Sequence, residues 1–232
     1  MTKQELKWSG EYRKVPIAII DEEQINGSDK IIDALLNLPY VQQYLQSRWN
    51  EEDGDENATT AMTMQQFHNS ENSQKWMKYA ADDLAALLYP NICGTLGDSY
   101  DAFRYVHDVD SFTTGQRMSI QLLGSLAMYF AASKVKSKRN ITDEKKALQE
   151  ALDRFEQEGL ENGKLSFCSG LSTPNFGDLS VFGVLYAVNG LNAHTESIQL
   201  RGGPVKEWYD RMHLSVMGEE AQHQIKLGVT CN

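Results

Sequence analysis

The stretch NFGDLSVFGVLYAVNGL at residues 175–191 combines a helix-capping signal with an apolar helix. No charged residue follows Asp178 in this stretch, and apolar residues cover every side of the predicted helix. A helix that is apolar all round is buried in the middle of a domain. Its N-terminus cannot use water to satisfy its free N–H groups. We therefore expect Asn175 as N-cap and Asp178 three residues later to satisfy them, a structural role for both residues.

The sequence around this stretch predicts further amphipathic helices. The first, from residue 73, carries one apolar face made of Trp76, Ala80, Leu84, Leu87 and Leu88. Pro90 is expected to end that helix. A second, long helix at 113–138 carries a stripe made of Met118, Leu122, Leu126, Tyr129 and Ser133. With a third helix at 143–158 and a surface helix at 205–216, residues 73–232 are predicted to form an all-α bundle.

The N-terminal part of the chain predicts a smaller segment of mixed structure. The β-branched run VPIAII at residues 15–20 indicates a strand, and Gln24 with Ile25 indicates a second short strand. A helix is predicted at 28–38, with Ser28 as its N-cap. Residues 50–57 are acidic, and 50–72 is interpreted as a solvated linker. The predicted organisation is thus a segment at 1–49, a linker at 50–72 and a bundle at 73–232.

Composition and charge exclude some classes of function. The formal net charge of -10 argues against binding nucleic acid or an anionic membrane through bulk electrostatics. Cys93, Cys168 and Cys231 are far apart and form no Cys-x-x-Cys, which is typical of a reducing compartment. No basic residue close to Cys168 would stabilise a thiolate there, so a reactive thiol is not expected. The histidines show no metal-ligand spacing, so no metal site is expected.

The sequence also bears on localisation. The first ten residues are polar and contain no signal-peptide apolar region, and no apolar run is long enough to cross a bilayer. We expect a cytoplasmic location or a peripheral one on an organelle membrane, without a membrane anchor in this chain.

Several stretches, in this order along the chain, carry a resemblance to a known family. They are YRKVPI (12–17), DKIIDAL (29–35), ADDLAALLYPN (81–91), LAMYFAASKVKSKR (126–139), PNFGDLSVFGVLYAVNGL (174–191) and EWYDRM (207–212). Together they resemble the membrane-associated prostaglandin E synthase type 2 family of the glutathione transferase-like superfamily. The resemblance implies an α+β, mostly α fold. In it, a partial thioredoxin-like N-terminal subdomain precedes an all-α bundle like the C-terminal domain of glutathione transferases.

The same resemblance implies a glutathione site. In this fold the peptide bond between the residues that match Val15 and Pro16 is cis, and the valine backbone pairs with the cysteinyl part of glutathione. Gly27 and Ser28 match the helix N-terminus that holds the γ-glutamyl carboxylate, since free N–H groups and the helix dipole attract an anion. The family usually has an acidic residue at the position of Gly27, and Asp29 follows the serine instead. Haem bound together with glutathione is a further implied cofactor.

The catalytic residues stay unassigned. The family ties its chemistry to a Cys-x-x-Cys motif and a nearby tyrosine, upstream of the Val-Pro strand, and these 232 residues contain no such motif. Two explanations stay open: a truncated product or gene model, or a member that has lost its catalytic half. The structural alternatives for the matched residues also stay open, namely a turn kept for folding at Val15-Pro16 and a plain N-cap at Ser28.

Two functions are therefore weighed. The first is an isomerase that converts prostaglandin H2 to the E2 form with a thiol or glutathione, with little or no turnover expected from this chain. Its lipid substrate would occupy a groove lined by the helices near 76–88 and 113–133. The second is a non-catalytic glutathione transferase-like module for binding or dimerisation, which allows a homodimer.

Overall fold

The computed structural model describes residues 4–12, 14–52 and 63–218. The chain divides into two compact units, Met1–Met64 and Gln65–Asn232. We refer to them as the N-terminal unit and the C-terminal unit.

The N-terminal unit contains a β-hairpin followed by two helices. A 3-10 helix at Gln4–Ser9 precedes β1 (Ile17–Ile20) and β2 (Glu23–Asn26), and α1 (Ser28–Leu36) and α2 (Pro39–Glu52) follow. The strands are antiparallel, with Ile17 opposite Asn26 and Ile20 opposite Glu23. Asp21 and Glu22 both have positive φ angles, as a two-residue hairpin turn that matches the strand twist requires. Both predicted strands are present, although β1 begins at Ile17 rather than at Val15, and the helix predicted at 28–38 is present as α1.

The C-terminal unit is built from helices. The α-helices are α3 (Glu71–Lys78), α4 (Ala85–Ile92), α5 (Leu96–Ala102), α6 (Thr114–Arg139), α7 (Glu144–Arg154), α8 (Phe176–Tyr186), α9 (Asn192–His194) and α10 (Gly203–Met217). Segments of π-helix lie at Gln65–Asn69, Tyr79–Leu84, Phe155–Gly159 and Thr195–Gln199, and 3-10 helices at Arg104–Asp108 and Glu161–Gly163. The mostly α class with a small sheet is confirmed.

The core of the C-terminal unit surrounds α8. Val181 and Leu185 on α8 are fully buried, as are the aromatic side chains Trp76, Phe155 and Trp208. The Phe155 ring packs edge-on against Trp76 and Trp208, with centroids 5.0 and 4.7 Å away. Burying each such side chain contributes on the order of 2–3 kcal/mol. The predicted buried helix is therefore confirmed, and Trp76 belongs to the core rather than to a substrate groove.

Helix α3 packs closely against the start of α8 at Gly177. A Cβ on Gly177 would lie 2.8 Å from the Cβ of Trp76, so only glycine lets the two helices pack at this distance. A core that is packed this closely tolerates an increase in side-chain volume poorly.

The predicted end of the first helix at Pro90 was wrong. Pro90 lies inside α4, which continues to Ile92. Proline sits in the last turn, where it interrupts few further intrahelical bonds. The amide of Cys93 donates to the Tyr89 carbonyl at 3.2 Å, and the Asn91 side chain donates to the Leu87 carbonyl at 2.8 Å, so the turn beyond the proline is closed.

The long helix α6 presents the predicted apolar stripe to the outside. Met118, Leu122 and Leu126 are exposed, whereas Gln121, Ser125 and Ala132 are buried on the opposite side. The buried side is polar but satisfied. Gln121 Oε1 lies 2.6 Å from His107 Nε2, Gln121 Nε2 donates to the Tyr100 carbonyl at 3.3 Å, and the Ser125 hydroxyl donates to the Gln121 carbonyl at 2.5 Å. Periodicity showed the stripe but did not show which face of α6 turns inward.

The predicted linker at 50–72 differs from the structure at both ends. Its first residues belong to α2, residues 53–62 lie outside the described residues, and residues 65–69 are helical. Phe67 and His68 are buried, and both rings meet Phe176 edge-on at 5.7 and 5.3 Å. The end of the predicted linker is therefore packed against α8 rather than solvated.

Candidate ligand-binding site

The hairpin brings the four predicted glutathione-site residues to one end of the N-terminal unit. Pairing continues past the strands, since the amide of Gly27 donates to the carbonyl of Pro16 at 3.1 Å. Val15 comes directly before Pro16 and Ser28 directly after Gly27, so both lie one residue beyond this hydrogen bond. Val15, Pro16, Gly27 and Ser28 thus lie together, although about ten residues separate the two pairs in sequence.

The backbone of Val15 is available to a ligand. The Val15-Pro16 peptide bond is cis, as the resemblance predicted, and Val15 is 74% exposed. Within the described part of the chain, neither the amide nor the carbonyl of Val15 makes a hydrogen bond. One donor and one acceptor therefore stand open on the same residue, the arrangement that an extended peptide uses when it adds to a strand.

No side chain caps the N-terminus of α1. Gly27, not Ser28, is the N-cap, so the prediction of Ser28 as N-cap was wrong. Gly27 has φ 97° and ψ 144°, a conformation that glycine adopts far more readily than other residues. Its carbonyl accepts from the amide of Ile31 at 3.1 Å. No side chain caps the helix, and among the described residues the amides of Ser28, Asp29 and Lys30 have no partner.

Asp29 occupies the space that a side chain at position 27 would need. A Cβ built on Gly27 would lie 2.9 Å from Asp29 Oδ1, so the carboxylate rests beside the Gly27 backbone. An acidic group is thus present next to position 27, although the sequence places it two residues later. Sequence reasoning gave Asp29 little weight because linear spacing does not show that the first turn of a helix folds back over its cap.

These groups suit a small zwitterion. The free N–H groups of α1 and the helix dipole attract a carboxylate. Asp29 offers an ion-pair partner for an ammonium group on the same ligand, and the open Val15 backbone can pair with an amide. Ser28, Asp29 and Lys30 are all exposed, so a ligand can reach them from solvent.

Haem does not fit the same set of residues. Haem iron is held by axial ligands such as histidine, cysteine, methionine or tyrosine. Val15, Pro16, Gly27, Ser28 and Asp29 supply none of these. Across the described residues, no group of three or more potential metal ligands comes together.

The cysteines that the structure describes are not nucleophiles. Cys93 and Cys168 are both buried in the C-terminal unit, and burial raises the pKa of each thiol above its usual value. The thiolate is the reactive form, so neither residue is poised to attack a substrate. Cys231 lies outside the described residues. The catalytic residues remain unassigned.

Asn175 and Asp178 form the predicted cap of α8. Asn175 Oδ1 accepts from the amide of Asp178 at 3.1 Å, and Asp178 Oδ2 accepts from the amide of Asn175 at 3.1 Å. Asp178 also accepts from the amides of Cys168 and Ser169 at 2.8 and 3.1 Å and from Trp208 Nε1 at 2.8 Å. Burial raises the pKa of Asp178, and the hydrogen bonds from these donors oppose that rise. Both carboxylate oxygens of Asp178 therefore accept hydrogen bonds from within the C-terminal unit.

The donors around Asp178 were missed at the sequence level. Cys168 and Ser169 lie about ten residues before Asp178, and Trp208 lies thirty residues after it. The local capping spacing gives no sign of them.

No helix among the described residues is long and apolar enough to cross a membrane.

Comparison with known proteins gives two informative relatives. No protein-family model matches the chain. Prostaglandin E synthase 2 of Mus musculus is 27% identical over 247 residues, which covers 95% of this chain and 63% of the relative. Prostaglandin E synthase 2 of Danio rerio is 28% identical over 236 residues, covering 90% of this chain and 60% of the relative. The chain thus spans about three fifths of the length of these curated relatives, and the similarity supports the resemblance to the prostaglandin E synthase type 2 family.

Proposed function

We propose that the chain is a prostaglandin E synthase 2-like protein whose N-terminal unit binds glutathione at the open end of the hairpin. The observation that carries this proposal is the unpaired Val15 backbone beside the N-terminus of α1, which no side chain caps. The Val15 amide and carbonyl pair with the cysteinyl residue. The free amides of α1 hold the γ-glutamyl carboxylate, and Asp29 faces the ammonium group.

The test compares glutathione with its des-amino analogue, which keeps the carboxylate but lacks the ammonium. Isothermal titration calorimetry on the wild-type chain is expected to show tighter binding of glutathione. Asp29→Asn is expected to remove that preference, because it removes the partner of the ammonium. Asp33→Asn is the matched control, since Asp33 lies one turn later on α1, and it is expected to keep the preference. Equal affinities of the wild-type chain for the two ligands would contradict the assignment of Asp29.

The catalytic part of the proposal concerns the isomerisation of prostaglandin H2 to E2 with a thiol. The 232 residues contain no Cys-x-x-Cys, and both described cysteines are buried with raised pKa values. We therefore expect little or no turnover from this chain alone. A glutathione-dependent isomerase assay on the purified chain checks this expectation, and a rate comparable with that of a full-length relative would contradict it.

The second candidate is a non-catalytic glutathione transferase-like module. It is favoured by the same buried thiols and by an exposed apolar surface on the C-terminal unit. A module that binds glutathione without converting prostaglandin H2, under conditions in which a relative is active, supports this candidate over the enzyme.

A further inference from the structure

The rings of five side chains meet where α8, α9 and α10 come together. Phe182 and Tyr186 lie one turn apart on α8, Tyr209 and His213 lie one turn apart on α10, and His194 ends α9. The spacing of four residues places each pair on one face of its helix. Ring centroids of Phe182 and Tyr209 are 5.1 Å apart, and those of Tyr186 and His213 are 5.6 Å apart. We call these five residues the ring cluster.

Three polar atoms of the ring cluster have no hydrogen-bond partner in the described part of the chain. They are His194 Nε2, the Tyr209 hydroxyl and His213 Nδ1, and all three are buried. His194 and Tyr209 are each only 3% exposed. The Tyr209 ring lies beside both histidines, with centroids 5.1 Å from His194 and 6.4 Å from His213. Buried polar groups are nearly always paired in native proteins, so three unpaired atoms in one cluster point to a shared partner.

Tyr79 shows how a buried tyrosine is paired within the protein. It is 2% exposed, and its hydroxyl donates to the Ala151 carbonyl at 2.8 Å. Burial raises the pKa of both Tyr79 and Tyr209, so each hydroxyl keeps its proton and remains a donor. Tyr79 has a direct acceptor for this proton, whereas none of the described residues accepts from Tyr209.

The charges around the ring cluster require the shared partner to be neutral. Lys206 and Asp210 lie one turn apart on α10 and form an ion pair with each other. Burial lowers the pKa of both His194 and His213, Lys206 adds to this at His194, and Asp210 opposes it at both. Both imidazoles are therefore neutral at pH 7, and each carries one donor and one acceptor nitrogen. A molecule that joins them to Tyr209 must both donate and accept hydrogen bonds.

We propose that the ring cluster holds one internal water molecule, which bridges His194, Tyr209 and His213. Water donates two hydrogen bonds and accepts two, and internal waters typically make about three. Two hydrogen bonds of about 2.8 Å through a single oxygen span a gap of this kind. The contacts between the rings, with centroids 5.1 to 6.4 Å apart, favour a ligand of this size over a larger one.

The bridge would join two elements that no direct hydrogen bond between these side chains connects. His194 stands at the end of α9, directly before the π-helical segment Thr195–Gln199, and the other two side chains belong to α10. Side chains that share a bound water are coupled in energy even though they do not bond to each other. The proposal therefore predicts both a long-lived water and a measurable coupling between its partners.

The first experiment uses the wild-type chain at pH 7. Nuclear Overhauser contacts between water and protein protons are expected at the rings of Tyr209, His194 and His213. The Tyr79 ring is the internal control and is expected to show none, because its hydroxyl is paired with a carbonyl. Long-range proton–nitrogen spectra of the two histidines are expected to show neutral imidazoles. A high-resolution crystal structure tests the same site, with a water oxygen expected within hydrogen-bonding distance of the three atoms.

The second experiment is a double-mutant cycle that keeps the rings and removes the polar atoms. Tyr209→Phe and His213→Phe are made singly and together, and urea denaturation gives the unfolding equilibrium constants. We expect the combined effect to be smaller than the product of the single effects by about tenfold, because either substitution alone already weakens the hold on the water. Tyr79→Phe with His213→Phe is the matched control and is expected to be multiplicative. Far-UV circular dichroism checks that each variant is folded.

Three results overturn the proposal. The first is a wild-type chain in which Tyr209 and the two histidines show no more contact with water than Tyr79 does. The second is a direct hydrogen bond between the Tyr209 hydroxyl and either imidazole in a high-resolution structure. The third is a cycle in which the Tyr209 and His213 substitutions are no more coupled than the control pair. The first two results are obtained on the wild-type chain, so they stand even where a variant fails to fold.

Discussion

The N-termini of α1 and α8 differ in what meets their free N–H groups. At α8, Asn175 and Asp178 satisfy each other's amides, and the Asp178 carboxylate accepts further bonds from a loop and from Trp208. At α1, Gly27 caps the helix through its backbone alone. The first N-terminus is buried, whereas the second is exposed.

This difference separates a structural use of a helix N-terminus from a ligand-binding use. Buried N–H groups must find partners within the protein, since leaving them unsatisfied costs about 1–3 kcal/mol each. Exposed N–H groups can wait in water and exchange it for an anionic ligand. A closed N-terminus therefore reports on stability, and an open one is a candidate site. The following predictions test that division, beginning with the largest effect.

Asp178→Ala is expected to lower the free energy of unfolding by about 3 kcal/mol or more, because it leaves several buried donors without an acceptor. This exceeds the loss of about 1–2 kcal/mol expected for a helix cap alone. Asp98→Ala is the matched control. Asp98 has the same position in α5, where its carboxylate accepts from the Thr95 hydroxyl at 2.7 Å in an exposed setting. We expect a loss below about 1 kcal/mol there. Urea denaturation measures both, and equal losses would remove the distinction between buried and exposed caps.

Protonation of His194 is expected to lower the stability of the C-terminal unit. Burial, followed by the positive charge of Lys206 and by His213, lowers the pKa of His194 to about 4, while Asp210 opposes this. The unfolded chain then binds more protons than the folded one between pH 4 and about 6.5. The contribution of neutral His194 to the free energy of unfolding is fully present above about pH 6.5. It is lost as the pH decreases toward 4, by an amount on the order of 2–3 kcal/mol.

His194→Asn is expected to flatten this pH dependence. His213, whose pKa is also lowered by burial, contributes a smaller part with the same sign. Denaturation midpoints measured from pH 7 to pH 4 check both statements. A profile with the same slope in wild type and His194→Asn would show that the slope arises elsewhere.

Gly27→Ala addresses the open N-terminus. At φ 97° an alanine is strained, and its Cβ would meet Asp29 Oδ1 at 2.9 Å. We expect a loss of about 1–2 kcal/mol in the stability of the N-terminal unit, together with weaker glutathione binding. Gly10→Ala is the control, since Gly10 also has a positive φ but nothing lies within 4 Å of its added Cβ. Hydrogen exchange of the β1–β2 amides gives the readout, and a smaller effect at Gly27 than at Gly10 would contradict the proposed contact.

Ser28→Ala gives the smallest expected effect. Because Ser28 is not the N-cap and its side chain caps nothing, the change in unfolding free energy should stay within about 0.5 kcal/mol. Thermal denaturation checks this. A loss near 1 kcal/mol would restore Ser28 to the capping role that its sequence position indicated.

Interactions between residues close in sequence were easier to predict than those that depend on backbone conformation or on distant residues. The cap of α8 depends on residues three positions apart, so its spacing is visible in the sequence. The N-cap of α1 was misassigned by one residue because the backbone angle of Gly27, rather than a polar side chain, sets the start of the helix. Pro90 was misread because the end of α4 is closed by the side chain of Asn91 and the amide of Cys93.

The amino-acid sequence by itself determined the mostly helical class, the buried helix at the centre of the C-terminal unit, the Asn175/Asp178 cap and the strand that follows Val15-Pro16. These rest on periodicity, charge and short-range spacing. Only the tertiary structure decided that the apolar stripe of α6 faces outward and that Trp208 donates to Asp178. It also decided that Val15 and Ser28 flank the Gly27–Pro16 hydrogen bond with their backbone groups open. Each of these depends on which surfaces and chain segments come together. The free energy of such contacts comes from burial and from hydrogen bonds between residues that are far apart in the sequence.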